Sequence, residues 1–408
     1  MNELFPPLSR ETKLIFNRLP GLIDKTFPVP GRFRSQIPSD IAELSRLLTS
    51  ARNERSGSYL GKPSLLSAYL RYYLPWNIYR LSRLLSSLPL NLKPDDAVND
   101  IGAGPLTLAS ALWISRPELR KIPLEFRCID RTSQVLEAGK KLFTALTSLS
   151  KEAEACPWKI KTIRGELKRN GTISVEIRGK PAALTSAVNV YNELFWNFSP
   201  VDFESLEQFT EKHARLLSAL TDSSGYILVV EPGIPRSGEF ISMIRSCLSG
   251  ENRFPLSPCT HSAACPFPGG HAVNNKQPYK SKWCHFAFDT DDAPLELHNL
   301  SAASGLPKER AVLSFILSGS KPHVSGPVAH QNSISKIRII SDSFPLDNQK
   351  TKSLSEWGRY GCSERGMVLA SGTKTIIEKS VSGTLEELSL SPGNIDTKTG
   401  ALLTYKKH

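Results

Sequence analysis

Val98-Asn-Asp-Ile-Gly-Ala-Gly-Pro-Leu106 joins an apolar strand signal, DAVNDIG, to a helical one, LTLASALWIS. Gly102 and Gly104 let the backbone turn sharply and pass close to a ligand. The helix that follows offers unpaired N–H groups at its start. The next strand signal, EFRCIDRT, ends in Asp130, an acid placed to accept hydrogen bonds from the two hydroxyls of a ribose. Ligands of open α/β sheets bind at these carboxyl ends of strands. A dinucleotide fingerprint would need a third glycine where Thr107 stands, and there is no P-loop lysine.

Working outward, residues 95–230 alternate strand and helix signals, which implies a mostly parallel sheet. SQVLEAGKKLFTAL and ESLEQFTEKHARLLSAL read as helices, and KIKTIRGEL, AALTSAVNVYNELF and GYILVVEPG as strands. GEFISMIRSCLSG is a further helix and AVLSFILSGS a further strand. Residues 1–35 are Pro-rich and read as irregular. Ser39 or Asp40 caps a helix with Ile41, Leu44, Leu47 and Leu48 on one face. PSLLSAYLRYYLPWNIYRLSRLLSSL reads as one or two helices broken at Pro75. Residues 330–408 alternate short β-like runs with turns. The expected division is an N-terminal helical region (1–90), the α/β domain (91–250), a cysteine-rich segment with the last sheet strands (251–330) and a small C-terminal β module (331–408).

Four cysteines lie behind the α/β text: Cys259 and Cys265 in CTHSAACP, Cys284 in WCHF and Cys362 in YGCSERG. Thiolates are soft ligands suited to iron–sulfur clusters or zinc, and a Cys-Pro pair recurs among iron–sulfur ligand runs. Free cysteines packing as small hydrophobes are the plain alternative. His261, His271, His285 and His298 crowd the same region, so zinc with mixed ligation stays open.

At 408 residues and 40% hydrophobic content, two or three domains with a real core are expected. Seven cysteines are too few and too uneven for a disulfide scaffold. No secretory signal is visible, and runs such as YILVV are too short to span a bilayer. A reducing, cytoplasmic location, no membrane association and a monomer are expected, with a mitochondrial origin left open. Net charge is +12 and the pI about 9.3, which favours a polyanionic partner, nucleic acid first. Residues 1–90 carry 13 Lys/Arg against 6 Asp/Glu. Within them Arg71, Arg80 and Arg83 interleave with Tyr69, Tyr72, Tyr73, Trp76 and Tyr79. Arginines so placed are candidate RNA contacts, whereas the tyrosines read rather as a buried face.

The pattern acid-x-Gly-x-Gly followed by an acid at the next strand end resembles motif I of class I S-adenosylmethionine (SAM) methyltransferases. That resemblance implies Asp100 near the methionine ammonium, Gly102 and Gly104 against the sugar, and Asp130 on the ribose. Leu106 stands where the family often has a third glycine and is expected to crowd the pocket. In place of an Asn/Asp-Pro-Pro-aromatic acceptor loop the chain has NVYNELFWN, where Asn192 and Glu193 can face the pocket. No catalytic residue is marked. RSGSYLGKPSLLSAYLRYYLPWN, DIGAGP, VVEPGIPRSGEFI and the cysteine runs together resemble the methyltransferase-like proteins of the small ribosomal subunit, known from mitochondria and with bacterial relatives. The resemblance implies a class I methyltransferase fold and a four-iron four-sulfur cluster on Cys259, Cys265, Cys284 and Cys362. It also implies association with small-subunit ribosomal RNA during assembly. Two functions are consistent with it: a SAM-dependent rRNA methyltransferase, or a non-catalytic assembly factor that uses the fold to bind rRNA.

Overall fold

The computed structural model describes residues 3–54, 59–149, 156–196, 203–267, 282–323, 334–346, 356–390 and 393–406. The Pro-rich start is not irregular. Ser9 caps α1 (Arg10–Thr26), its side chain accepting from the Thr12 N–H, and Ile15, Phe16, Leu19 and Ile23 bury one face. The short α2 (Gly31–Arg34) and α3 (Ile37–Leu48) follow, the latter burying Ile41, Leu44 and Leu47. The expected break at Pro75 is a π-helical turn instead. α4 (Pro63–Ala68) runs through Tyr69–Tyr73 in π geometry into α5 (Leu74–Leu85), so the helix widens over the turn that precedes Pro75, which has no N–H to donate back into it.

The central sheet contains β1 (Asp96–Ile101), β2 (Leu124–Asp130), β3 (Lys159–Arg164), β4 (Ala182–Val188), β5 (Thr221–Pro232), β6 (Phe254–Ser257), β7 (Phe286–Asp289) and β8 (Arg310–Gly319). α6 (Thr107–Ser115) and α7 (Ser133–Thr147) connect the first three strands. α8 (Tyr191–Leu194) and α9 (Phe203–Leu220) lie between β4 and β5, and α10 (Pro235–Gly250) follows β5. Strand order is β3-β2-β1-β4-β5-β8-β6, with β7 also pairing β8. β1 to β5 are mutually parallel, and β8 is antiparallel to β5, β6 and β7. Five parallel strands reversing order between β1 and β4, with an antiparallel strand inserted beside β5, make a class I methyltransferase sheet. The reversal opens a crevice at the carboxyl ends of β1 and β4, where such sheets take ligands.

The segment expected as a cysteine-rich insertion supplies β6, β7 and β8 to the central sheet and a helix over Leu295–Ala303. The run 268–281, with His271, lies outside the described residues. A second sheet of β9 (Ile334–Ile339), β10 (Phe344–Pro345), β11 (Glu356–Ser363), β12 (Gly366–Thr373), β13 (Leu385–Ser389) and β14 (Leu402–Tyr405) has the order β13-β9-β11-β12-β14, with β10 on β11. Among the described residues no helix is long and apolar enough to cross a membrane.

The π turn and α5 together pack an aromatic face inward. Trp76 Nε1 donates to Ser301 Oγ (3.0 Å), Tyr72 OH to the Leu306 carbonyl (3.0 Å) and Tyr79 OH to the Asp289 carbonyl (3.3 Å). Arg71 and Arg83 go with it, which corrects the expectation that they face RNA, while Arg80 stays partly exposed. Arg71 is buried on Asp24 (2.9 Å) and Ser67 (2.8 Å). Arg83 is buried on Asp292 (3.0 Å) and the Phe5 carbonyl (2.7 Å). Arg80 donates to the Val312 carbonyl (2.9 Å) and to Asn189 Oδ1 (2.8 Å). A helix buried on several sides brings its long cations inside, and buried cations require fixed acceptors.

Candidate functional site

A cavity of about 490 Å³ opens at the carboxyl ends of β1, β2 and β4, lined by Asp100, Gly102, Gly104, Asp130, Asn189 and Glu193 among others. All four residues of the expected cofactor set therefore meet in one place. The turn after β1 is pinned to β2: the Gly102 and Ala103 N–H groups both donate to the Ile129 carbonyl (2.8 and 2.9 Å). Gly102 has φ +71°, and a Cβ there would stand 2.6 Å from Val190 Cγ2, so no other residue fits that turn unchanged. Gly104 has φ +53°, and its N–H donates to Asp130 Oδ2 (3.0 Å). Asp130 Oδ1 accepts from the Thr132 N–H (2.9 Å). Burial raises the Asp130 carboxyl above its usual range despite these two bonds.

Asp100 lies deeper. Its Oδ1 accepts from Ser186 Oγ (2.8 Å), while Oδ2 is buried without a hydrogen-bond partner. Burial pushes its carboxyl up to about 7, Ser186 opposes the shift, and the neighbouring Asp130 adds to it. An orphaned carboxylate oxygen in a cavity of this kind suits a ligand cation.

Leu106 does not crowd the cavity. Its side chain is fully buried against α7, where a Cβ on Gly139 would meet Leu106 Cδ1 at 2.7 Å. What a glycine would relieve here is the backbone, since Leu106 holds φ +59° at the head of α6.

The loop after β4 is braced from three sides. Glu231, fully buried near the end of β5, accepts from the Tyr191 N–H (2.8 Å), the Asn192 N–H (3.1 Å) and Asn192 Nδ2 (2.8 Å). Burial raises its carboxyl to about 7 against those bonds. Asn192, expected to face the pocket, is thus turned toward Glu231, whereas Glu193 lines the cavity and accepts from Tyr59 OH (3.1 Å). The N-terminal region supplies the third brace. Arg52 donates to the Asn192 carbonyl (3.1 Å) and lies over the Trp196 ring (3.8 Å to the centroid). Sequence reasoning missed Arg52, Tyr59, Asn189 and Glu231 as parts of the site. Glu231 had a legible signal, a carboxylate inside the apolar run YILVVEP; the others had none.

The four cysteines come from different elements. Cys259 follows β6, Cys265 and Cys284 flank the run outside the described residues, and Cys362 lies on β11 of the second sheet. They share one electrostatic neighbourhood. Burial, then the charges of Cys265 and Cys259, raise the Cys284 thiol, and burial followed by those of Cys259, Cys265 and Cys284 raises Cys362. His261 Nε2 is 3.4 Å from Cys362 Sγ. Burial lowers that imidazole to about 4, so it is neutral at physiological pH. His285 instead contacts the Trp283 carbonyl and His298 the Thr290 carbonyl. No group of three or more His, Cys, Asp or Glu among the described residues is arranged to hold a metal ion as it stands.

Among solved structures, the chain is similar to a class I SAM-dependent methyltransferase from Listeria monocytogenes. The identity is 10%, covering 79% of this chain and 90% of that one, with a TM-score of 0.32. The plantazolicin methyltransferase BpumL in complex with SAH is 10% identical over 76% and 99% of the two chains, with a TM-score of 0.29. The precorrin-6y C5,15-methyltransferase from Geobacter metallireducens is 10% identical over 66% and 94%, with a TM-score of 0.30. Likeness this low supports no functional statement. No curated protein matches the chain. Residues 83–344 match the family described as mitochondrial small ribosomal subunit Rsm22, a span that runs from the end of α5 through the whole central sheet to the start of the second one. With more than half of its length in that match, the chain belongs to the Rsm22 family of the small ribosomal subunit.

Proposed function

We propose that this protein binds SAM in the β1–β2–β4 crevice and acts on the small ribosomal subunit as an rRNA methyltransferase during its assembly. The carrying observation is the convergence of Asp100, Gly102, Gly104 and Asp130 on one cavity at the strand ends. In this reading Asp130, fixed by the Gly104 and Thr132 N–H groups, accepts from the ribose hydroxyls, and the free Asp100 oxygen faces the methionine ammonium. Gly102 and Gly104 keep side chains out of the sugar's path. Methyl transfer from a sulfonium needs an aligned nucleophile and little acid–base help, so the loop from Asn189 to Trp196 serves to orient the acceptor. Isothermal titration with SAH, followed by transfer of labelled methyl from SAM to small-subunit rRNA, tests both halves. SAH binding with transfer is expected, and the absence of SAH binding at millimolar ligand refutes the reading.

One observation favours a non-catalytic assembly factor as the second reading. Glu193 and Asn192, the polar groups of the acceptor loop, are engaged by Tyr59 and Glu231. SAH binding without methyl transfer to rRNA selects that reading.

The donor chemistry also fits a metal centre. Four thiols within each other's electrostatic reach, three on loops beside β6 and β7 and one on β11 of the second sheet, are a soft set suited to thiolate-held iron–sulfur. Cys259, Cys265, Cys284 and Cys362 would hold a four-iron four-sulfur centre, and zinc with His261 in the set is the alternative. Bound there, such a centre would tie the second sheet to the first, and its binding free energy would count as folding free energy. Anaerobically purified protein should carry about four iron and four sulfide per chain. One zinc selects the alternative, and no metal refutes the site.

A further inference from the structure

We infer that Arg245 and Arg338 are the charge-balancing and positioning residues of the four-cysteine site, so that its occupant, ligands included, carries a net charge of about minus two. The inference rests on the metal reading of the four thiols.

Both guanidiniums are buried, Arg245 on α10 at 4% exposure and Arg338 on β9 at 8%. Of the other buried arginines, Arg71 meets Asp24, Arg83 meets Asp292, Arg120 meets Glu11 and Arg127 meets Glu125, whereas Arg253 and Arg359 donate to backbone carbonyls. Among the described residues neither Arg245 nor Arg338 forms an ion pair with Asp or Glu. Each instead spends hydrogen bonds on the backbone around the cysteines. Arg245 Nη2 donates to the His261 (3.2 Å) and Ala263 (2.6 Å) carbonyls, inside the loop from Cys259 to Cys265. Arg338 Nε donates to the Pro258 carbonyl (3.1 Å), one residue before Cys259, and Nη1 to the Gly383 carbonyl (2.8 Å).

Their remaining charge is aimed at sulfur. Arg245 Nε donates to Cys259 Sγ at 3.2 Å. Arg338 pairs directly with Cys362 in the β9–β11 ladder, and the charges that oppose its desolvation are those of Cys259, Cys362 and Cys284. Carbonyl partners offset part of the desolvation of a buried guanidinium, and an anion beside it offsets more. Four thiolates around a core of charge plus two leave a net charge of minus two, which two guanidiniums neutralise. Arg is suited to both tasks, because one planar fork can hold loop carbonyls and donate to a sulfur together. An N–H donated to a ligand sulfur, and a cation beside it, are also the levers by which a protein tunes such a centre.

The test uses full-length protein purified anaerobically, as wild type, Arg245→Gln, Arg338→Gln, Arg245→Lys and Arg338→Lys. Iron, sulfide and zinc per chain, the rate of metal release to a chelator, and the midpoint potential of any iron centre are measured. SAH binding and circular dichroism report on the fold. The Gln variants are expected to release metal about tenfold faster or more, with a potential more negative than wild type. The Lys variants should retain the metal, and Arg245→Lys alone should shift the potential, because it loses the Nε–H on Cys259. If the Gln variants do not fold, the two Lys variants decide. Metal-loaded wild type with all variants matching it in release rate and potential overturns the arginine assignment and leaves the metal reading intact. Wild type that binds SAH but carries no metal overturns the metal reading itself.

Discussion

If SAM binds as proposed, Asp100 should make its affinity depend on pH between 5.5 and 7. Its folded carboxyl titrates at about 7, against 3.8 in the unfolded chain, chiefly because it is buried. If the orphaned Oδ2 receives the methionine ammonium of SAH, only the ionised form binds well. The ionised fraction is about 0.03 at pH 5.5 and 0.5 at pH 7, so affinity should rise roughly 15-fold across that interval, about 1.6 kcal/mol. The ligand amine stays protonated throughout it. The assay is isothermal titration with SAH at both pH values, in two buffers of different ionisation enthalpy, with proton release on binding expected at pH 5.5. Adenosine, which lacks the ammonium, should show no such slope. Asp100→Asn should abolish the slope, whereas Asp130→Ala should keep it while binding more weakly. The sign for stability is opposite. A carboxyl raised by folding contributes stability that is fully present below pH 3.8 and is lost as pH rises through 7. Wild-type apoprotein should therefore lose stability over that window relative to Asp100→Asn. A flat SAH affinity between pH 5.5 and 7, or an equal slope in Asp100→Asn, would refute the placement of the ammonium.

Arg83→Gln should lower unfolding free energy by roughly 1.5–3 kcal/mol in urea, the cost of one hydrogen bond to a charged group, because Asp292 keeps the Tyr79 hydroxyl and the Leu8 N–H. The same variant should leave the salt dependence of rRNA binding unchanged, and a flatter slope would return Arg83 to the RNA surface. Leu106→Gly relieves a left-handed residue but empties a fully buried site, so a net loss of roughly 1–4 kcal/mol is expected. Its SAH affinity should stay at wild type, and tighter binding would show that the side chain does crowd the cavity. Asp130→Ala should weaken SAH by about 1–3 kcal/mol, the cost of losing a charged acceptor, read by the same titration.

The Gly102–Gly104 turn and the acid at Asp130 were legible because they are local. A left-handed glycine, a strand end and a helix start are each written within a few residues, and the parallel sheet follows from alternating periodicities. Chemistry alone singled out the cysteines as a candidate set, and among the described residues they are not arranged to hold a metal ion as they stand. Arg71 in the π turn and Arg83 on α5 were misread for the opposite reason. Whether Arg71 and Arg83 meet phosphate or Asp24 and Asp292 depends on residues 47 and 209 positions away, and a helix face says nothing about what lies opposite. Leu106 was misread because sequence shows which residue occupies a turn but not where its side chain leaves it. Glu231 under the acceptor loop, Arg52 and Tyr59 reaching in from the N-terminal region, and Arg245 and Arg338 beside the thiols all depend on long-range packing. Periodicity places a residue on an element. Only the assembled fold decides which buried charge finds which partner, because that is set by the desolvation each pairing must offset.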